Sequence, residues 1–391
     1  MKFDLIIIGA GPSGLSLACA LDKTNLKIAV IEKNSKSIFS YPKNDGRDIA
    51  ITHRSKNILK KIGVWKYIKS ETISLVKEAR VLNGNSSNFL HFDHTKTIEN
   101  SLGYLISNQI IRKAIYKKIQ KQKNIKFFPK NKVTKVFSNS LSSKIFLKNG
   151  KIFEAKLTII ADGRLSKIRD KVGIYANKTN FETKMTVFRM KHSLSNYGIA
   201  SEYFHYDQTL AVLPIKKNLS SIVVTLSNEK SKKLLKMNKF EINKKMEKDL
   251  KEKFGKMNLI GKKYTYPMLT VYSDEFIRDR FILVGDAAIG MHPVTAHGFN
   301  LNLRGIDILQ NEIKKALMNN IDIGSLSLLK SYEKKFRKVS LPIYLATNAI
   351  VRLYTDQKPV SKIARKSFLI LANLMKPAKN AIIDNLLIKN S

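Results

Sequence analysis

Acidic residues are scarce in this chain. Only 30 Asp and Glu stand against 71 Lys and Arg, a formal net charge of +41. Such a balance invites a nucleic-acid reading. The kind of charge argues against it: 58 of the basic residues are Lys and 13 are Arg, with no RNA-binding signature and little aromatic interleaving. Lys, Asn and Ile are abundant together, as a nucleotide-biased genome would write onto any surface. The charge is read as a solvated surface. Attraction to anionic lipid, to an anionic cofactor or to nucleic acid are the competing readings. Cysteine is nearly missing. Cys19 alone excludes an internal disulfide framework and a cysteine-based metal cluster, and no metal site is expected. This usage fits a reducing cytosol. No apolar run approaches the roughly 18 residues of a spanning helix. Leu5-Ile6-Ile7-Ile8 is too short for a signal peptide. The expectation is a cytoplasmic protein, soluble or peripheral at the inner face of a membrane.

What is present is a globular chain, 391 residues with 43% hydrophobic content, long enough for one large or two medium domains. Lys2 to Ile8 predicts a buried strand, Pro12 to Leu21 a helix, and Lys27 to Ile31 a second buried strand ending at Glu32. This opens a dinucleotide-binding βαβ unit. Helical periodicity returns from Asn108 to Gln122, and Thr158 to Ala161 reads as a strand delivering Asp162. From about Thr183 to Ser227, β-branched and alternating runs predict a separate antiparallel sheet. Lys230 to Lys263, with 13 Lys against 4 acids, reads as helical with a solvated face. Phe281 to Val284 is a further buried strand, ending at Gly285-Asp286. The dinucleotide domain is thus interrupted by a second domain and then completed.

Gly9-x-Gly11-x-x-Gly14 suits the strand-to-helix turn. The first glycine permits the turn, the second lets backbone approach a pyrophosphate, and the third lets helix and strand pack closely. Glu32 stands where a carboxylate binds ribose hydroxyls. Two further motifs follow at wide spacing. One is Asp162-Gly163-x-x-Ser166-x-x-Arg169. The other runs Gly285-Asp286-Ala287-Ala288-Ile289-Gly290-Met291-His292-Pro293 and on to Gly298-Phe299-Asn300-Leu301. His292 and His297 lack a third ligand nearby and make a poor metal site.

Together the three motifs resemble the FAD-dependent aromatic hydroxylases of the p-hydroxybenzoate hydroxylase type. The form His292-Pro293-Val294-Thr295-Ala296-His297-Gly298-Phe299-Asn300 is similar to the branch that hydroxylates the ring in ubiquinone biosynthesis, closest to the demethoxyubiquinol hydroxylase type. Two positions depart from the wider family: Ile289 stands where His is frequent, and Thr295 to Gly298 replace a Gly-x-Gly. The resemblance implies that Arg47 and Arg112 contact FAD. It puts Asp162 and Gly163 between FAD and a passing NAD(P)H, Asp286 on the ribityl chain, and Pro293 near the reactive flavin edge. His292 and His297 become flavin-pocket residues. The amides of Gly298, Phe299 and Asn300 would face the flavin N1 and O2, where a helix N-terminus stabilises negative charge.

The fold class so implied is α/β in an α+β two-domain arrangement: a Rossmann-like FAD-binding domain interrupted by an antiparallel β-sheet substrate domain, as in p-hydroxybenzoate hydroxylase. Residues 1–70, 101–175 and 277–340 would form the first, 71–100 and 176–276 the second, and 341–391 a C-terminal helical region. There Ile363, Ser367, Ile370, Leu371 and Leu374 share one helical face, a candidate for peripheral membrane contact. The implied reaction is hydroxylation of a polyprenylated phenol or quinol by O2 through a flavin C4a-hydroperoxide, with NAD(P)H as electron donor. Association with other ubiquinone-biosynthesis proteins is compatible with it. Two other readings share the FAD motifs: an isoprenoid-chain reductase and a basic RNA-modifying flavoprotein. A flavin halogenase needs more tryptophan than the lone Trp65.

Overall fold

The computed structural model describes residues 1–83, 89–96, 100–205, 207–292 and 297–355. Five parallel strands of an eight-stranded sheet run in the order Phe281–Leu283, Ile152–Ile160, Lys2–Ile8, Ile28–Ile31, Ile125–Phe128. Strands of a parallel sheet are covered on both faces and so read as unbroken apolar runs. Leu5, Ile6, Ile7, Ala29, Val30 and Ile159 are fully buried. Ile7 pairs with Val30 on one side and Ile159 on the other. Helices Pro12–Ala20, Asn108–Ile119 and His297–Met318 pack in the same core. Cys19 is buried there.

The second large sheet has eight strands. Their order is Ile289–Gly290, Met257–Ser273, Ala176–His192, Leu219–Ser227, Thr209–Lys216, Ile199–Phe204, Glu78–Asn83, Phe89–Asp93. All its pairs are antiparallel except Ile199–Phe204 with Glu78–Asn83. Helices Asn228–Lys236 and Lys239–Asp249 cover one face, where Leu234, Ile242 and Met246 meet Phe188, Met190, Ile222 and Val224. The helical reading of Lys230 to Lys263 is therefore corrected at its end. Helix stops at Asp249, Gly255 turns with φ +64°, and Met257 opens a 17-residue strand. Pairing with Ala176–His192 decides that outcome, because tertiary partners override a local lysine-rich pattern.

The other face of this sheet looks toward the parallel sheet. A three-stranded sheet, Asp48–Ile51, Gly103–Ser107 and Ser74–Val76, lies between them. The Tyr266 hydroxyl donates to the Asp45 carbonyl at 2.6 Å, and Phe181 meets His292 edge-on at 5.1 Å. A long helix, Leu326–Thr355, closes the structure. Its Ile350 and Leu353 cover Leu90, Phe92 and Phe204. The apolar stripe read in residues 363–374 falls outside the described residues, as does Pro293.

Candidate active site

The first strand ends at Ile8, and the chain turns at Gly9 with φ +104°. A Cβ there would strike the Ala161 carbonyl, and one at Gly14 would strike the Gly9 carbonyl. Around Gly11 the space for a Cβ is open. The helix that follows has no side-chain cap and carries Pro12 in its first turn. Its free amides therefore offer an anion site. Glu32 is buried. Its carboxylate accepts from the Ala10 amide at 2.8 Å and from the Asn34 side chain at 2.7 Å, so it pins the turn to the second strand.

Gly9, Gly11, Glu32, Arg47, Arg112, Asp162 and Gly163 line one cleft of about 300 Å³. Arg47 is braced by Asp45 at 2.6 Å and lies over the Tyr266 ring at 5.0 Å. Asn108 donates to the same Asp45 oxygen at 2.7 Å. Arg112 stands on Asn108–Ile119, 3.4 Å from the Ile38 carbonyl. Asp162 fits a ligand in this cleft. Its Oδ1 is buried without a hydrogen-bond partner, and burial pushes its pKa up. A buried lone acceptor is costly unless something donates to it. The hydroxyls and amides of a dinucleotide supply such donors, so the residues suit FAD.

The third motif packs against the other two. Gly285 turns with φ +69° against Ser13, and Asp286 follows. Asp286 accepts from Asn302 at 3.1 Å and from Arg164 at 3.1 Å. Arg164 also donates to the Met291 carbonyl at 3.2 Å and to the Leu269 carbonyl on the large sheet. Arg169, fully buried, donates to the Ala287 carbonyl at 3.2 Å. The Asp162 and Gly285 motifs are therefore bound to each other by two arginines. Helix His297–Met318 begins beside them with Gly298 and Phe299. Asn300 donates to the Ala50 carbonyl at 2.8 Å and accepts from the Thr52 amide at 3.1 Å, fixing the helix start to strand Asp48–Ile51. His292 is pushed down to about 4 by burial and by Arg164, and His297 to about 4 by burial and by Arg304. Both imidazoles are neutral at neutral pH.

Sequence reasoning assigned no role to four residues that stand out here. Arg164 was inside a motif, but its reach to two other segments leaves no local trace. Asp48 and Arg189 pair across the two halves of the molecule at 2.8 Å. Glu202 lies on the flavin-motif side of the large sheet, in a cross-strand row with Ala211, Val223 and Val187. Burial alone pushes its carboxyl up to about 8. Alternation of acid with apolar neighbours in Ile199–Phe204 was the one signal available for it.

Fold and site together define an FAD-dependent hydroxylase built from a nucleotide-binding domain and a β-sheet domain. The chain belongs to the FAD-binding-domain family, which matches residues 2–343. Among curated relatives it is 37% identical over 387 residues to Ubiquinone hydroxylase UbiM of Neisseria meningitidis serogroup C, covering 98% of this chain and 84% of that protein. It is 28% identical to Ubiquinone hydroxylase UbiL of Rhodospirillum rubrum, covering 96% and 87%. Among solved structures, p-nitrophenol 4-monooxygenase PnpA of Pseudomonas putida shares the fold with a TM-score of 0.78 at 17% identity, with 100% of both chains covered.

Proposed function

We infer that this chain hydroxylates the aromatic ring of a polyprenylated ubiquinone precursor, such as demethoxyubiquinol, with O2 as co-substrate and NAD(P)H as electron donor. The observation that carries this reading is the assembly of three distant motifs: the first two line one cleft, and Arg164 and Arg169 bind the third to the second. The 37% identity to a ubiquinone hydroxylase supports the substrate class. FAD, when bound, supplies the activation of O2, which no side chain of the protein can do.

The residues hold and shelter that chemistry. Gly9, Gly11 and Gly14 admit the pyrophosphate to the helix amides. Arg47 and Arg112 neutralise its charge, and Glu32 and Asp162 accept from sugar or ribityl hydroxyls. Asp286, gripped by Arg164 and Asn302, orients the chain toward the ring system. The amides of Gly298, Phe299 and Asn300 stabilise negative charge at the ring's edge. His292, buried, and His297, half-buried, are neutral and line the pocket without adding charge, with Pro293 between them in sequence. Met185, Val187, Met268 and Val223 form an apolar wall beside the reacting centre. A polyprenyl substrate resides in the bilayer, so the reading includes peripheral contact with a membrane and association with other ubiquinone-biosynthesis proteins. No helix among the described residues is long and apolar enough to cross a membrane.

The test is the quinone profile of lipid extracts from a bacterial strain lacking its ring hydroxylases and expressing this chain. Restored ubiquinone, or a shift to a more hydroxylated intermediate, is the expected result. Unchanged precursors beside soluble, FAD-loaded protein would overturn the substrate assignment.

A further inference from the structure

We propose that Arg54 and Arg304 form a binding site for a phosphate group. Neither residue lines the cofactor cleft, and the hydroxylase reading gives neither a task.

The two come from helices that lie side by side. Arg54 is in the first turn of His53–Lys61, and Arg304 is in the second turn of His297–Met318. Near both helix starts the Thr52 amide donates to Asn300 Oδ1 at 3.1 Å. Further along, Lys61 Nζ donates to Asp307 Oδ1 at 2.6 Å and to Asn311 Oδ1 at 3.2 Å. Lys61 and Asn311 stand seven residues beyond Arg54 and Arg304 in sequence. Seven residues make about two helical turns and return to the same face. One seam therefore holds two positions of opposite character. Lys61 meets a carboxylate, whereas Arg54 and Arg304 meet each other.

That second position is electrostatically unfavourable. Like charges repel, and partial burial weakens the screening by water. Arg304 is half-buried, and burial together with the Arg54 charge pulls it down to about 10. Its Nε is buried and has no hydrogen-bond partner. The surrounding groups do not relieve it. Asp307 is engaged by Lys61, and Lys56 donates to the Tyr104 hydroxyl at 2.6 Å. His297 is kept neutral by burial and by Arg304 itself. Elsewhere the chain neutralises its arginines: eight described ones pair with a carboxylate. Arg112 pairs with none, and it lines the cleft that suits FAD. An arginine without a carboxylate thus stands, in that case, where an anion arrives.

The pair selects the ligand's chemistry. A guanidinium presents a planar fork of N–H donors that matches the oxygens of a carboxylate or a phosphate. Two adjacent charges favour the more highly charged anion, and a phosphate monoester carries about −1.5 to −2 at neutral pH. Arg54 is exposed and Arg304 half-buried, so the group reaches both from solvent and needs no closed cavity. Free phosphate has this chemistry, and so does the phosphomonoester of NADPH, which NADH lacks. Arg304 lies one turn beyond Asn300, whose amide is read as facing the flavin. A reductant anchored there would therefore have its phosphate within a few turns of the cofactor.

The experiment titrates the FAD-loaded full chain with inorganic phosphate at constant ionic strength and follows the melting temperature. A ligand of the folded state raises that temperature by mass action. In Arg54→Gln and in Arg304→Gln the apparent affinity for phosphate is expected to fall on the order of ten-fold or more. Without phosphate, either variant should melt above the parent, since it removes a repulsion and no bond. Lys330→Gln deletes an exposed charge elsewhere and should respond as the parent does. An equal phosphate response in the parent and both arginine variants would overturn the proposal. So would a parent that melts above both variants in phosphate-free buffer. NADPH and NADH then separate the sources. A gain from NADPH alone, lost in both variants, supports the site with the reductant as its ligand. A gain from phosphate but from neither nucleotide supports it with free phosphate. None of these readings depends on ring hydroxylation, which the quinone profile tests separately.

Discussion

The two faces of the large sheet are built from the same strands yet differ in kind. One is dry. Phe188, Met190, Ile222 and Val224 interleave with Leu234, Ile242 and Met246 from two covering helices. The other carries Arg189, Ser221 and Glu202 among Val187, Val223 and Ala211, and it turns toward the cofactor motifs. Adjacent residues on one strand thus serve opposite ends, because side chains alternate across a sheet. The dry face repays the cost of ordering the sheet. That surplus lets the other face keep polar groups without partners, which are functional liabilities a fold can carry only if it is stable elsewhere.

The largest effect should come from breaking the dry face. Phe188→Ala removes a ring that is 1% exposed and should cost about 3–5 kcal/mol, read as a lower denaturant midpoint with an unchanged slope. Glu202→Gln should act with the opposite sign. The Glu202 carboxyl is raised from 4.5 to about 8 in the folded protein by burial. The folded chain therefore holds a proton that the unfolded chain has lost between those values. Stability from this group is full below about 4.5 and is lost as pH rises through about 8. The glutamine variant should match the parent near pH 4 and exceed it in melting temperature at neutral and alkaline pH. Parallel melting curves for the two proteins across that window would show that the carboxyl meets water or a counter-charge instead.

Third is Arg164→Ala, which cuts the tether among Asp286, Met291 and the large sheet. Bonds to charged groups are worth about 1.5–3 kcal/mol each where one partner is left buried. Their loss should appear as weaker FAD retention, measured by flavin released on dilution, with little change in far-ultraviolet circular dichroism. Retention equal to the parent's would mean that Asp286 is positioned by Asn302 alone.

The cofactor side of the molecule was legible because its geometry is local. A glycine with φ +104° and a glycine packed on its carbonyl can be read from spacing, since no other residue fits. Lys2–Ile8 and Phe281–Leu283 were equally plain as unbroken apolar runs. The sheet face was not legible. Asp48 and Arg189 lie 141 residues apart, and nothing in either neighbourhood announces the other. Arg164 hid inside a motif whose other members drew attention by spacing. The lysine-rich stretch beyond Asp249 misled because a solvated helix and the exposed half of a long strand share one composition. Only the pairing with Ala176–His192 separates them.

The smallest effect tests the comparison at its sharpest, because it uses two neighbours of one residue type. Val224 is fully buried on the dry face, whereas Val223 is half-buried on the face with Arg189 and Ser221. Val224→Ala should cost about 2 kcal/mol, the transfer of two buried carbons plus the hole they leave. Val223→Ala should cost about 1 kcal/mol or less, since its methyls border a surface that is already partly open. Its consequence should fall on substrate instead: a wall with a deeper hollow lets the ring shift, and a displacement near 1 Å misaligns reacting atoms. Denaturation of both variants beside turnover of a prenylphenol separates the two costs. Val224→Ala should lose stability at unchanged turnover per folded molecule, and Val223→Ala should do the reverse. Equal losses of stability would mean that both faces are packed alike, and the division of labour between them would not stand.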